Sequence, residues 1–323
     1  MTQPLVSVLM PMRNAEAYVQ EALQSILSQD YPNLEVVVVD DGSTDSSRQK
    51  ALALGNGRVR VVPGPQQGIS AAVNCALHAA KGDIIMRCDS DDRFTTGRLS
   101  HQVGLLQQNP TWGAVCGAYR TIDPAGRLAA ELCLDEPAAD ITERLLACET
   151  PTHLCTFAIR APLLQTLGGC REAFVTAEDI DLQLRLAEVA KVWFDPTPVY
   201  EYRLHHSSIT HSQADTRRVF YEKLARDCRQ QRAAGEPDCV ERGQIPAVPT
   251  ADGGAKSSAN HLQGHLLAQA WRFHGRGQQF SALRYGLRAV RAQPRSVDTW
   301  KSLAALTVKT AVKTAAKRVS GRS

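Results

Sequence analysis

Val36-Val37-Val38-Val39-Asp40-Asp41-Gly42-Ser43-Thr44-Asp45 decides the fold. Four consecutive β-branched residues suit a strand covered on both faces, as in a parallel sheet, rather than one with a solvated side. The run stops in acids, glycine and hydroxyl residues, so the chain turns at the carboxyl end of the strand. Outward from it, Leu5–Met10 is a short apolar run that Pro11 ends. Asn14 then opens a segment whose Val19, Leu23, Ile26 and Leu27 recur at helical spacing. Thr44–Leu54 reads as a second helix and Arg58–Val62 as a third strand. Ile69, Ala72, Val73, Ala76, Leu77 and Ala80 mark one helical face, Gly82 stops it, and Ile84–Cys88 is a fourth strand. Strands alternating with helices imply a parallel, doubly wound sheet.

From about residue 110 the alternation weakens. Ala114–Tyr119 is strand-like, Asp123-Pro124-Ala125-Gly126 is a turn, Asp179–Ala190 looks helical and Lys191–Phe194 looks like a short strand. After Thr210 helical patterning dominates. The expected division is therefore 1–210 and 211–323, with a flexible segment near 236–258 rich in Gly, Pro, Ala and Ser. His261–Phe273 and Phe280–Ala292 suggest a helical hairpin joined at Gly275-Arg276-Gly277. A basic helix over Val297–Val319 then carries Lys309, Lys313 and Lys317 four residues apart.

At 323 residues and 43% hydrophobic content the chain can bury a core, which excludes a disordered or fibrous protein. The formal charge of +4 is uneven: residues 284–323 hold ten Lys/Arg against Asp298 alone, and the remainder holds 27 against 32 acids. A slightly acidic body with a basic tail argues against nucleic-acid binding. Nine cysteines without a Cys-x-x-Cys pair fit reduced thiols in the cytoplasm better than a disulfide framework or zinc. No signal peptide and no run of roughly 18 apolar residues is present, so the expectation is a soluble chain, at most peripheral on the inner face of the cell membrane.

Ligands of open parallel sheets bind beyond the carboxyl ends of the strands, and three polar motifs fall there. Pro11-Met12-Arg13-Asn14 offers a forked cation in Arg13 and a helix cap in Asn14. Asp40 and Asp41 suit ribose hydroxyls and a base N–H, although a turn with Ser43 as cap explains the same residues. Neither glycine-rich phosphate fingerprint is present, which argues against P-loop enzymes and dehydrogenases. Asp89-Ser90-Asp91-Asp92 gathers three carboxylates, which a divalent cation keeps ionised; with oxygen ligands alone, Mg2+ or Mn2+ fits better than zinc. A base-and-ribose reader beside a metal loop implies a nucleoside diphosphate compound. Downstream, Glu178-Asp179 opens a helix, and capping is the better reading of it from spacing alone. Tyr202-Arg203-Leu204-His205-His206 offers a cation and imidazoles to a diphosphate.

These residues resemble the inverting family-2 glycosyltransferases of the GT-A fold. The stretches that carry the likeness are Ser25–Gln29 through Asp45, Arg87–Asp92, and Gly168-Gly169 followed by Ala177–Leu182, within about Leu5–Thr210. The resemblance implies a nucleotide-diphospho-sugar transferase fold, Rossmann-like and mostly parallel, with a C-terminal helical extension. It implies that Pro11, Arg13, Asn14, Asp40 and Asp41 line the nucleotide pocket. Asp89 and Asp91 would approach the ribose and metal, with Asp92 a direct ligand. By the same likeness Asp179 matches the catalytic base, and Arg203 and His205 a segment near the diphosphate, His205 within reach of the metal. Thr96 stands where a proline is usual, Val73 replaces a polar residue, and His153 lies where relatives place acceptor or sugar contacts. Cys148, His153 and Cys155 lack a fourth ligand for a metal.

The expected donor is a UDP- or dTDP-sugar and the expected acceptor a glycan or lipid-linked hydroxyl, in glycan or cell-envelope polysaccharide synthesis. A nucleotide-sugar-binding protein without turnover and a sugar-phosphate nucleotidyltransferase are the competing readings. Pro11-Met12-Arg13-Asn14 lacks the glycines of the latter. The C-terminal basic helix either rests on an anionic membrane surface or packs its Leu303, Leu306, Val308 and Val312 face on the protein.

Overall fold

Alternate residues of the valine run face opposite ways, and each face finds its own helices. In chain order the first half of the fold runs β1 (Val6–Met12), α1 (Val19–Leu27), β2 (Leu34–Asp40), α2 (Ser47–Ala53), β3 (Val59–Pro63), α3 (Ile69–Ala79), β4 (Ile84–Arg87), β5 (Arg93–Phe94) and α4 (Arg98–Gln108). Val8, Met10, Val36, Val38 and Met86 pack against Leu23 and Ile26 of α1 and Leu99 and Val103 of α4. Leu9, Val37, Val39 and Ile85 pack on the other side against Ala72, Val73 and Ala76 of α3. A strand sandwiched in this way needs apolar residues at every position, which accounts for the unbroken run.

The computed structural model describes residues 3–55, 57–132, 136–205, 215–249, 258–275 and 277–307. Two compact units emerge: Met1–Tyr119 with Leu132–Tyr202 and Thr216–Asp252, and Arg120–Glu131 with Arg203–Asp215 and Gly253–Ser323. The later elements are β6 (Trp112–Ile122), β7 (Leu128–Leu132), β8 (Ala139–Asp140), α5 (Thr142–Leu146), β9 (Ala158–Arg160), α6 (Ala161–Leu167), α7 (Glu178–Val189), β10 (Lys191–Arg203), α8 (Asp215–Ala233), α9 (Ser258–Gly275) and α10 (Gln279–Ala292).

In the first unit the strand order is β3-β2-β1-β4-β9-β6-β10-β5. β1, β2, β3 and β4 are parallel, with Val8 opposite both Val36 and Met86. β9 then runs antiparallel to β4 and to β6, which is where the sequence alternation fades. Helix α7 adds Leu182 and Leu186 to the second layer. Trp112 and Trp193, on β6 and β10, stack with ring centres 4.4 Å apart.

Several boundaries differ from the sequence reading. Pro11 does not end β1, which runs on to Met12 with Pro11 opposite Val39. Asn14 does not cap α1, which starts at Val19, and Asp45 rather than Ser43 serves α2, accepting from the Ser47 amide at 2.9 Å. β10 extends through Arg203, nine residues beyond the expected Phe194. Within the segment expected to be flexible, Asp238 is fully buried and pairs with Arg171 at 2.7 Å and with Arg232, while Cys239 packs beside Cys228. Residues 250–257 of that segment lie outside the described residues.

In the second unit, α9 and α10 form the expected hairpin, with Leu266, Ala270, Tyr285, Ala289 and Leu306 in one cluster around Ala129. A further helix covers 297–307. Lys309, Lys313, Lys317, Val308 and Val312 lie outside the described residues, as does His206. No helix among the described residues is long and apolar enough to cross a membrane.

Candidate active site

The parallel register brings the carboxyl ends of β1, β2 and β4 to one edge, and with them the first three motifs. Asn14, at φ +51°, ties the first two together: its amide donates to Ser43 Oγ at 3.1 Å, and its Oδ1 accepts from the Thr44 amide at 2.8 Å. A residue that takes positive φ readily and carries a short amide meets both demands. Arg13 beside it is exposed and Pro11 is buried. Asp40 and Asp41 are both buried. Asp40 accepts from the Ser43 amide at 3.0 Å and faces Arg48 at 3.5 Å; Asp41 Oδ1 accepts from the Gln66 amide at 2.6 Å. These bonds hold both carboxylates at the carboxyl end of β2.

After β4, Arg87 forks between two carboxylates. Its Nε lies 2.7 Å from Asp89 Oδ1 and its Nη2 lies 3.3 Å from Oδ2, while Nη1 reaches Glu178 Oε1 at 3.0 Å. Asp89 is thus engaged at both oxygens, an arrangement the sequence reading, which aimed it at ribose and metal, did not include. Asp91 is half-buried and Asp92 is 1% exposed. Tyr200 of β10 donates its hydroxyl to Asp92 Oδ2 at 2.7 Å and receives the Asp89 amide at 3.1 Å. Burial, and then the Asp92 carboxylate, raise the Tyr200 phenol well above its usual range, so the hydroxyl stays a donor. Among the described residues, no group of three His, Cys, Asp or Glu side chains stands arranged for a metal.

Glu178 and Asp179 open α7 after Ala177, which sits in the left-handed region. Glu178 is buried, and burial pushes its carboxyl up to about 7 against the lowering pull of Arg87. Asp179 is about a quarter exposed, at 23%, with Oδ2 3.9 Å from His153 Nε2. His153 Nδ1 accepts from the Cys155 amide at 3.3 Å, which assigns the proton of the neutral ring to Nε2, facing Asp179. Desolvation lowers the His153 pKa, with Asp179 and Asp89 opposing. Tyr119, Tyr200 and Tyr202 surround the imidazole with ring centres 6.3, 6.4 and 5.7 Å away. Asp92, Tyr200, His153, Asp179, Glu178, Arg87 and Asp89 therefore form a closed circuit of contacts.

The loop before α7 is held from below. Asn74 of α3 exchanges both amide groups with the Cys170 backbone, each at 2.8 Å, and Arg185 of α7 donates to the Gly169 carbonyl at 2.7 Å. Val73, where a polar contact was in question, is buried in the core. Gly169 has φ +71°, and a Cβ there would lie 2.4 Å from Asn74 Oδ1. Gly169→Ala is accordingly expected to cost roughly 1–3 kcal/mol in urea unfolding, through backbone strain and the displaced amide. A loss below about 0.5 kcal/mol would show that the loop relaxes freely.

Arg203 and His205 belong to the second unit, and both are buried. Arg203 donates to the backbone of the turn after β6, 3.2 Å from the Pro124 carbonyl and 3.5 Å from that of Asp123. Sequence reading missed Tyr200 and the fork of Arg87, and it took Glu178 for part of a helix start rather than a partner of that arginine. The signal available for them was an arginine at the end of a buried strand and an acid beside Asp179.

The model of glycosyl transferase family 2 matches residues 7–164. An uncharacterized glycosyltransferase of Rickettsia felis is 30% identical over 207 residues, 62% of this chain and 34% of that protein. The chondroitin synthase of Pasteurella multocida is 32% identical over 217 residues, 67% of this chain and 22% of the synthase. The putative glycosyltransferase EpsE of Bacillus subtilis is 34% identical over 191 residues, 57% of this chain and 67% of EpsE. The chain thus spans about a third of the Rickettsia protein and less of the synthase. The crystal structure of S. aureus TarS 1–349 in complex with UDP-GlcNAc matches with a TM-score of 0.60 at 19% identity, over 89% of this chain and 81% of that one.

Proposed function

The chain belongs to glycosyl transferase family 2, with the GT-A fold and polysaccharide-synthase relatives, and on that premise we propose that it transfers a sugar with inversion from a nucleoside diphosphate carrier to an acceptor hydroxyl. The observation that carries this reading is the circuit joining Asp179 to the β4 loop through Glu178, Arg87 and Asp89. It sets one partly exposed carboxylate beside a cluster of acids, which suits a reaction needing one base and one electrophilic aid. A glycosidase would need two facing carboxylates.

Asp40 and Asp41, fixed by backbone donors, would read the ribose and base, with the exposed Arg13 and Asn14 beside them after β1. The donor set after β4 fits a hard cation, since Asp91 and Asp92 offer oxygens only, and Mg2+ or Mn2+ typically takes one or two carboxylates and completes its shell with phosphate and water. Bound there, the cation would supply Lewis acidity toward the departing diphosphate. Asp179 takes the proton of the acceptor hydroxyl as that oxygen bonds to the anomeric carbon and the bond to the diphosphate breaks. His153 Nε2 lies 3.9 Å from Asp179 Oδ2, at the amino end of α7.

UDP-GlcNAc is the first donor to test, because TarS carries it on this fold, and glycan or lipid-linked hydroxyls are the first acceptors. Mass spectrometry should detect a glycosylated product with release of nucleoside diphosphate, and NMR should find the anomeric configuration inverted. Chelation with EDTA should remove at least about 99% of turnover, with Mn2+ or Mg2+ restoring it. Pyrophosphate release would select a nucleotidyltransferase instead, and tight nucleotide binding without product across the panel would select a binding protein.

A further inference from the structure

The second unit carries 16 Lys/Arg against 4 Asp/Glu, and the first 21 against 29, so the modest net charge hides a strong separation. Between Gly253 and Val297 there is no acid at all. Within that unit the core face of α10 is Ala282, Tyr285, Gly286, Ala289 and Val290. Phe280, Arg284, Leu287 and Arg291 occupy the opposite side, spaced 4, 3 and 4 residues apart and so confined to an arc of about 60°. All four are exposed, Phe280 at 83% and Leu287 at 48%. A helix facing water normally turns charges outward, whereas this one alternates large apolar groups with cations along its outer stripe.

The neighbouring turn continues the pattern. Trp300 is 52% exposed, and its indole N–H donates to the Pro294 carbonyl at 2.9 Å, which fixes the ring beside the C-terminal end of α10. Leu303 and Leu306 of the helix over 297–307 pack on Gly286. Those two leucines thus serve the unit's own core, and any outward binding rests on different residues.

We propose that the outer face of α10, with Trp300, docks on an anionic phospholipid surface. Phe280, Leu287 and Trp300 would enter the headgroup boundary while Arg284 and Arg291 pair with phosphates, their stems lying along the apolar layer. Charge complementarity and the apolar-basic alternation together favour a lipid surface over duplex nucleic acid, which would use the cations and leave Phe280 and Leu287 idle.

The test uses the full chain in flotation with phosphatidylcholine vesicles containing roughly one third phosphatidylglycerol. Binding is expected to these and not to pure phosphatidylcholine, and to weaken as salt rises. Phe280→Ser with Leu287→Ser should lower the partition coefficient about tenfold, and Arg284→Glu with Arg291→Glu at least as much. Circular dichroism should match the parent for both pairs. Failure of the parent chain to float with the anionic vesicles would overturn the proposal. So would unchanged binding by the Phe280/Leu287 pair, or a shift from dimer to monomer in that pair with vesicle binding intact, which would make the stripe a self-association face. Duplex DNA binding that ignores the Phe280/Leu287 pair and outcompetes vesicles would also count against it.

Discussion

Asp179→Asn is expected to lower transfer by about two to four orders of magnitude while leaving nucleotide-sugar affinity within a few-fold, because the amide cannot accept the acceptor proton. The substitution also separates the two readings of this residue. Asparagine serves a helix start nearly as well as aspartate, and the bond from the Ile180 amide to Asp179 Oδ1, 3.0 Å long, survives with an amide oxygen. A purely capping Asp179 would therefore yield a variant that folds and turns over like the parent. Initial rates and isothermal titration with UDP-GlcNAc on the same preparation decide the matter, and parental turnover would sink the base assignment.

Arg87→Ala should be strongly destabilising, at about 3–5 kcal/mol in urea unfolding, because it leaves the buried Glu178 and the partly exposed Asp89 without their common partner. Asp89 loses the arginine at both oxygens, keeping the Cys155 thiol on Oδ2 at 3.7 Å, and Glu178 loses its 3.0 Å contact. The sign of the pH dependence follows from Glu178. Its carboxyl sits near 7 when folded against an ordinary 4.5, so the folded protein holds a proton that the unfolded chain has released. The contribution of this group is fully present below about pH 4.5 and is lost as pH rises through about 7. Glu178→Gln should flatten that decline, and a slope between pH 5 and 8 identical to the parent's would show that Glu178 is not its source. A loss below about 1 kcal/mol for Arg87→Ala would mean that the fork is solvated.

The parallel half of the fold was legible because each strand is buried on both faces and each helix shows one apolar stripe. Asp40, Asp41 and the Asp89–Asp92 loop were legible for a related reason, since a buried strand that ends in acids marks its own carboxyl end. The antiparallel half was harder. The expected strand stopped at Phe194, yet β10 passes on through Asp195-Pro196-Thr197-Pro198 and delivers Tyr200 to Asp92. Arg87 and Glu178 are 91 residues apart and His153 and Asp179 are 26 apart, so no local spacing announces either pair. The helical hairpin was visible in its periodicity, but the apolar groups on its outer face were not, because exposure is a property of packing.

The buried Asp238 bears on how short an active chain can be made. Loop residue Arg171, which precedes the helix bearing Asp179, is gripped by an acid that arrives only after α8. Ending the polypeptide where the sequence motifs fade, near 210, would discard both α8 and that acid and leave Arg171 with Asp181 alone, 3.7 Å away. The smallest piece that keeps the grip must run past Gln244, whose amide bonds back to the Cys239 carbonyl at 2.7 Å. The excised module is thus longer than its motifs, and its final thirty or so residues act as scaffolding for the loop that precedes α7.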